Sequence, residues 1–314
     1  MRAHLSSMRI AVLSDIHGNL PALEAVLADL GQVRAHLVVV NGDLVNRGPS
    51  SREVVECLLD LKSSRQGHAL APEGFWFTLG NHDDLVARWA RRDPALAELY
   101  NDPLFEPTAW SVAQLPQAHL DWVGSLPFQV AIEEFPRRVF GLEQAEGIGE
   151  RVLVRATHGS PRHYREGYDE HQTPGILTEI SEDYPARLLV GSHTHRTYMY
   201  PLGEALVLNS GAVGAPFNGD VRAQYAVVEI GENHLQVDFR QIPYNLQAAL
   251  QTYYDSGLME EGGLGAEIYY QETRTARSLL MNFWAWSKGQ NLPRDWDSWR
   301  MYQAAHPERF SSPK

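Results

Sequence analysis

The stretch Thr78-Leu79-Gly80-Asn81-His82-Asp83 places an amide, an imidazole and a carboxylate on one short turn. It follows Phe75-Trp76-Phe77, an apolar and aromatic run that predicts a buried strand, and it precedes residues 85–90, which predict a helix. Ligands of open α/β sheets bind beyond the carboxyl ends of strands, so this turn is a candidate site. Because Asn and Asp are also common turn residues, the stretch alone is equally compatible with an ordinary loop.

Four further strand-like runs end in polar residues of the same types. The runs at residues 9–13 and 36–40 are separated from each other and from the opening stretch by helical patterns, which predicts parallel strands joined by right-handed crossovers. Two later runs, at 151–156 and 187–190, end in the same way. The polar residues found at these five strand ends are Asp15, His17, Asp43, Asn81, His82, His158, His193 and His195.

Carboxylate, amide and imidazole donors of this kind suit borderline divalent metals such as manganese, iron or zinc. Their number exceeds what one tetrahedral ion takes, and it fits two ions that share a carboxylate, roughly 3.5–4 Å apart. Each residue by itself has an ordinary alternative as a turn former, a helix cap or a surface histidine. Because five strand ends carry residues of these types, the metal site is favoured over that alternative.

Composition limits the remaining function classes. The formal net charge of −12 argues against non-specific binding to nucleic acids, although it leaves small nucleotides open as substrates. Cys57 is the single cysteine, so an internal disulfide and a cysteine-ligated zinc finger are not expected. Since no secretory signal and no membrane-spanning run is evident, we expect a cytoplasmic protein without a membrane partner.

Five motifs contain these residues, namely Asp15-x-His17, Gly42-Asp43, Gly80-Asn81-His82-Asp83, His158-Gly159 and Gly191-x-His193-x-His195. Together they resemble the calcineurin-like metallophosphoesterase superfamily, over residues 8–243, and its small bacterial and archaeal phosphodiesterase branch in particular. The resemblance implies an α/β fold, a sandwich of two mixed β-sheets flanked by helices. It also implies two divalent metal ions, manganese in the first place and iron, zinc or nickel as alternatives.

The resemblance also implies a role for each residue. Asp15, His17 and His195 would bind the first metal, and Asp43 would bridge both. Asn81, His158 and His193 would bind the second metal, and a metal-bridging hydroxide would attack the phosphorus. His82 would act as general acid or transition-state stabiliser, with Asp83 either holding it charged or capping the next helix. Asn19 and Arg47 would contact the phosphate, and Asn46 departs from the Asp that many of these phosphatases carry there.

The function that follows is hydrolysis of phosphodiesters or phosphomonoesters, with a small phosphorylated substrate such as a nucleotide. The alternatives are a dinucleoside polyphosphate hydrolase, a protein phosphatase and a non-catalytic scaffold of the same fold. Five residues that follow the site turns are candidates for the substrate pocket, with ordinary loop residues as the alternative interpretation: His163, Tyr164, Tyr168, Phe217 and Asn218.

We expect a catalytic domain at residues 1–243, of which 1–7 form a flexible tail, and a C-terminal helical extension at 244–314. The extension is rich in Trp, with Trp284, Trp286, Trp296 and Trp299 among its apolar residues. Such a surface packs on the domain, forms the interface of a homo-oligomer or covers the site as a lid.

Overall fold

The computed structural model describes residues 7–133, 138–142, 152–232 and 234–311. The predicted flexible tail lies outside these ranges except for Ser7. Among the described residues, no helix combines the length and the apolar character that crossing a membrane requires.

The described residues form eleven strands and twelve α-helices. The strands are β1 Met8–Leu13, β2 Leu37–Asn41, β3 Phe75–Thr78, β4 Gln129–Glu133, β5 Arg138–Leu142, β6 Val152–Thr157, β7 Leu188–Gly191, β8 Thr197–Leu202, β9 Ala205–Ser210, β10 Ala223–Ile230 and β11 Leu235–Ile242. The helices are α1 Leu20–Val33, α2 Ser51–Ser63, α3 Arg65–Leu70, α4 Asn81–Ala90, α5 Glu106–Gln114, α6 Gln117–Gly124, α7 Pro174–Asp183, α8 Leu246–Asp255, α9 Leu258–Glu261, α10 Gly263–Thr275, α11 Leu280–Gly289 and α12 Trp296–Ala305. Short 3₁₀ turns lie at Pro94–Leu96, Leu99–Asn101, Pro103–Phe105 and Pro307–Phe310.

The strands form two mixed sheets. The first has the order β11-β10-β1-β2-β3, in which β1, β2 and β3 are parallel and β10 is antiparallel to β1. The second has the order β5-β4-β6-β7-β9-β8, with β6, β7 and β9 parallel and an antiparallel hairpin at each edge. The carboxyl ends of the parallel strands therefore carry the polar turns, as the β-turn-α order predicted.

Strand β1 shows why both faces of the first sheet are buried. Its alternate residues Ile10 and Val12 join a core that includes side chains of both sheets, such as Val154 of β6. Ala11 and Leu13 point to the other side and pack with residues of α1 and α2. A strand buried on both faces is continuously apolar, which is the pattern at residues 9–13. The predicted sandwich of two mixed sheets flanked by helices is confirmed.

The predicted C-terminal helices are present as α8–α12. Trp299 and Phe283 are buried in one cluster with Leu104, which belongs to the 3₁₀ turn at Pro103–Phe105. Tyr253 and Tyr269 are buried in a second cluster with Trp110 of α5. The aromatic residues of these helices thus pack on residues N-terminal to position 243, while Trp296 stays 45% exposed.

Candidate active site

Five of the predicted metal ligands adopt left-handed backbone conformations in the turns after their strands. The φ angles are 51° for Asp15, 48° for His17, 55° for Asp43, 65° for His193 and 59° for His195. A non-glycine residue in this region costs roughly 1–2 kcal/mol, so neighbouring contacts must hold it there. The Asp15 amide donates to Gly42 O at 3.0 Å and the His17 amide to Asp43 O at 3.0 Å, which ties the first two turns together. Such strain concentrates at functional sites.

Four buried side chains form the centre of the site. Ligand atoms of Asp15, His17, Asp43 and His195 all lie within 4.8 Å of one another. His195 Nε2 is 3.1 Å from Asp15 Oδ1, and the Nε2 atoms of His17 and His195 are 3.3 Å apart. Two imidazole nitrogens and two carboxylates that face one point form a donor set for a divalent cation.

The remaining predicted ligands lie beside this centre. His158 Nε2 is 3.2 Å from Asp43 Oδ2, and the rings of His158 and His193 are in edge contact, with centroids 5.5 Å apart. His193 Nδ1 is 2.7 Å from Asn81 Oδ1. Asp43 Oδ2 is also 3.5 Å from His17 Nε2, so this one oxygen lies between the two groups of ligands.

Buried polar atoms without partners test whether these residues fit a metal. Both carboxylate oxygens of Asp15, Asp43 Oδ2 and His158 Nε2 are buried and make no well-formed hydrogen bond in the described part of the chain. Their nearest polar neighbours are one another and the other candidate ligands, such as His195 Nε2 at 3.1 Å from Asp15 Oδ1. Buried, unpaired carboxylate oxygens are costly unless a cation or donor satisfies them. The backbone carbonyl of Asn41 lies 2.8 Å from His158 Nδ1, and that of Ala215 lies 2.5 Å from His195 Nδ1, which leaves each Nε2 for a metal. The residues therefore fit divalent cations.

The electrostatics of His158 lead to the same conclusion. Burial alone would lower its pKa, but the carboxylates of Asp43 and Asp15 outweigh burial and raise the pKa to about 10. An environment that binds a proton so strongly is an environment that binds a cation, and a metal would displace that proton.

His82 lies next to the metal ligands, with its ring in edge contact with His17 at a centroid distance of 4.9 Å. Its Nδ1 is 3.1 Å from the side-chain amide nitrogen of Asn46. Because Asn46 Oδ1 accepts from the Arg47 amide at 2.8 Å, the amide is oriented with its NH₂ group towards His82. A donor at Nδ1 places the proton of a neutral His82 on Nε2.

The pKa of His82 agrees with a neutral ring. Burial, opposed by Asp43 and reinforced by Arg47, lowers that pKa to about 3. Because Asn46 donates to Nδ1, the Nε2–H is the donor that the ring can offer. Of the two roles implied for His82, stabilisation of the transition state by a hydrogen bond therefore fits this site better than general-acid catalysis by an imidazolium.

Asp83 makes its hydrogen bonds to the backbone of the site loops. Its carboxylate accepts from four backbone amides, those of Asp43 at 2.8 Å, Leu44 at 2.9 Å, Val45 at 3.3 Å and Gly80 at 3.0 Å. The side chain thus caps α4 and fixes the loop that carries Asp43, instead of holding the His82 ring charged. Of the two alternatives for Asp83, these contacts favour capping, and its assignment as a catalytic residue stays a prediction.

The predicted substrate residues have different surroundings. The Asn19 side chain caps α1, with Oδ1 accepting from Ala22 N at 3.2 Å, and donates to Gly214 O at 2.9 Å, so its polar groups are occupied by the protein. The Tyr164 hydroxyl donates to Asp84 at 2.9 Å, and the His163 ring contacts Tyr164 on the exposed side.

Two of the further pocket candidates have clear positions. Tyr168 is fully buried in the core beneath α7, which removes it as a pocket residue because its aromatic ring packs with Leu177 and Ile180. Phe217 does lie at the site, stacked on the ring of His195 at a centroid distance of 4.3 Å.

Sequence reasoning missed two residues of α10. Glu272 forms an ion pair with Arg47, and Tyr269 covers the Arg47 guanidinium at 4.7 Å from its ring centroid. They lie more than 220 positions after Arg47 in a stretch with no site motif. The burial of Glu272 is visible only in the fold, so the sequence offers no signal for either residue.

Comparisons with known proteins extend these observations. A family model described as calcineurin-like phosphoesterase matches residues 8–197, a segment that contains all seven candidate ligands and His82. An uncharacterised protein of Methanocaldococcus jannaschii is 25% identical over 266 residues, which cover 80% of this chain and 94% of that protein. The crystal structure of a metallophosphoesterase from Sphaerobacter thermophilus is 25% identical, with a TM-score of 0.56 over 83% of this chain and 100% of that one. A hypothetical protein from Pyrococcus horikoshii, 18% identical, shares the fold, with a TM-score of 0.63 over 84% of this chain and 98% of that one.

Proposed function

The chain belongs to the calcineurin-like phosphoesterase family, and from this premise we propose that it hydrolyses small phosphate esters with the help of two divalent cations. One observation carries the proposal: buried oxygens of Asp15 and Asp43 without partners face the imidazoles of His17, His158 and His195. Divalent cations would satisfy all of these groups together.

The ligands divide into two groups around Asp43. Asp15, His17 and His195 would hold the first cation, and Asn81, His158 and His193 the second. Asp43 would serve both, which its Oδ2 supports by lying within 3.5 Å of an imidazole nitrogen from each group. We infer manganese as the first candidate, with iron, zinc and nickel as alternatives to be compared by reconstitution.

Two further residues, His82 and Arg47, would contact the substrate. Divalent cations in such a site neutralise phosphoryl charge and lower the pKa of water. His82 would donate a hydrogen bond from its Nε2–H to the ester oxygen that leaves, which takes its proton from solvent, and Asn46 would maintain this tautomer. Arg47 contacts a phosphoryl oxygen. Phosphodiesters and phosphomonoesters, including nucleotides, are the substrates that we propose.

Metal analysis of protein purified without chelator tests this function, together with hydrolysis of bis-(p-nitrophenyl) phosphate, a phosphomonoester and a panel of nucleotides. We expect two bound ions per chain and metal-dependent hydrolysis of at least one of these esters. Asp43→Asn should lose at least one ion and the activity with it, because less negative charge then separates two cations. Asp238→Asn, an exposed carboxylate on β11, is the matched control. A single ion in the wild type, or both ions at wild-type affinity in Asp43→Asn, would show that the shared-carboxylate arrangement is wrong.

A further inference from the structure

Arg47 is buried between two aromatic rings at the edge of the site. The guanidinium lies 5.3 Å from the ring centroid of Phe217 and 4.7 Å from that of Tyr269, and the residue is 7% exposed. Since Phe217 itself stacks on His195, one aromatic ring separates the guanidinium from a candidate metal ligand. The rings restrict where Arg47 can point.

Glu272 supplies the charge that balances this guanidinium. Its Oε2 is bonded to Arg47 Nη2, and its side chain is 1% exposed. Its other oxygen, Oε1, accepts from the amides of Leu279 at 2.6 Å and Leu280 at 2.9 Å, where α11 begins. A carboxylate held at both oxygens is a rigid anchor for its partner.

The other guanidinium donors of Arg47 remain available. Among the described residues, no side-chain hydrogen bond of Arg47 is present besides the one to Glu272. A cavity of about 10 Å³ adjoins the guanidinium and is lined by His17, Asn19, Tyr253 and Thr273 among others. That volume is enough for about one water molecule. Free guanidinium donors beside a metal ligand suit an oxygen of a phosphoryl group.

We propose that Glu272 is a positioning residue that holds Arg47 with its free N–H donors towards the phosphoryl group. The C-terminal helices thereby complete the substrate site, although the candidate metal ligands precede them. This inference rests on the proposed function, because it needs a substrate with a phosphoryl group. A purely structural ion pair between α10 and the turn after β2 is the alternative.

The test compares Glu272→Gln with Glu267→Gln, which removes a charge from a half-buried position of the same helix. Gln at position 272 keeps an acceptor for the amides of Leu279 and Leu280 and removes the charge that holds Arg47. We expect Glu272→Gln to raise KM for bis-(p-nitrophenyl) phosphate and the inhibition constant of inorganic phosphate by about tenfold, the effect of losing one charged hydrogen bond. The value of kcat should change far less, and metal content should stay the same.

Introducing Glu272→Gln into the Arg47→Ala variant distinguishes a positioning role of Glu272 from a purely structural one. If Glu272 acts through Arg47, adding Glu272→Gln to Arg47→Ala should leave KM and phosphate affinity where Arg47→Ala put them. Wild-type constants in Glu272→Gln, or full additivity in the double variant, would overturn the proposal. If Glu272→Gln does not fold, Arg47→Lys should raise the same constants because Lys lacks the planar fork, and unchanged constants in that variant would overturn the proposal too.

Calorimetry with inorganic phosphate and metal-loaded protein measures affinity without turnover. The role of Glu272 is therefore decided even if the wild type hydrolyses none of the esters. That last result would count against the proposed function, and an unchanged phosphate affinity in Glu272→Gln would count against the role of Glu272.

Discussion

At the scale of single residues, the hydrogen bonds made around the site matter as much as the ligands themselves. The Asp83 carboxylate accepts hydrogen bonds from the backbone amides of Asp43 and Leu44, and Asn46 sets the proton position on His82. Asp83 fixes the backbone geometry of the loop and Asn46 fixes the tautomer of His82. Neither residue has to touch the substrate. An amide at position 46, unlike a carboxylate, donates to Nδ1 and so decides which ring nitrogen of His82 carries the proton.

His82→Ala should lower turnover by about 10²–10³-fold on esters with a poor leaving group, because the charge that develops on the departing oxygen loses its hydrogen-bond donor. The loss should be smaller on p-nitrophenyl esters, whose leaving group delocalises that charge. Steady-state kinetics on an alkyl and a p-nitrophenyl ester measures both, and metal analysis should find the ions retained. His171→Ala, which removes an exposed ring, is the control. An equal loss on both esters would show that His82 does not act at the departing oxygen.

At the scale of secondary-structure elements, charged contacts join helix α1 to strands β10 and β11. Asp29 of α1 accepts from Arg240 of β11, at 2.6 Å from Nε and 2.8 Å from Nη2. The Tyr225 hydroxyl of β10 donates to the same carboxylate at 2.5 Å. One carboxylate therefore connects α1 with two antiparallel strands, on the opposite edge of the first sheet from β3.

Asp29 gives this contact a defined pH dependence. Hydrogen bonding from Arg240, opposed by burial and helped by Tyr225, lowers the pKa of Asp29 from its ordinary 3.8. A lowered folded-state pKa stabilises the protein above the unfolded value, and this stability disappears as the pH falls through the folded value. Asp29→Asn should therefore reduce the free energy of unfolding at pH 7 by about 1–3 kcal/mol, and by progressively less below pH 3.8.

Denaturant unfolding of the wild type and the variant from pH 7 down to pH 3 measures this difference. Asp238→Asn is the control, since Asp238 pairs with the same arginine from an exposed position. A difference that is independent of pH would show that the contact stabilises through something other than the ionised carboxylate.

At the scale of the whole molecule, the C-terminal helices are bound to the rest of the chain through aromatic clusters and through the ion pair of Glu272 with Arg47. The packing that was expected from a Trp-rich extension is accompanied by contacts at the edge of the site. Removing these helices would therefore change the surroundings of Arg47 as well as expose apolar surface.

Trp299→Ala should lower the free energy of unfolding by about 3–5 kcal/mol, because the largest fully buried side chain of the described residues leaves a cavity against Phe283 and Tyr302. Trp296→Ala, on the same helix and 45% exposed, should change it by less than about 0.5 kcal/mol. Denaturant unfolding followed by circular dichroism measures both. Equal effects of the two substitutions would show that the C-terminal helices are not anchored through Trp299.

The sequence by itself determined the apolar strand runs, the parallel direction of the first three strands and the turns that carry Asp15, Asp43, Asn81, His158 and His195. These are local properties: buried strands are apolar runs, and parallel connections bring strand ends to one edge. The tertiary structure decided what each polar atom contacts, because hydrogen bonds between turns far apart in sequence leave no periodic pattern. The sequence therefore leaves open whether Asp83 acts with His82 or caps α4, and it predicts Tyr168 in a pocket, whereas the fold gives Asp83 four amide donors and buries Tyr168 in the core. Glu272 shows the same limit most clearly, since only folding brings α10 to the turn that follows β2.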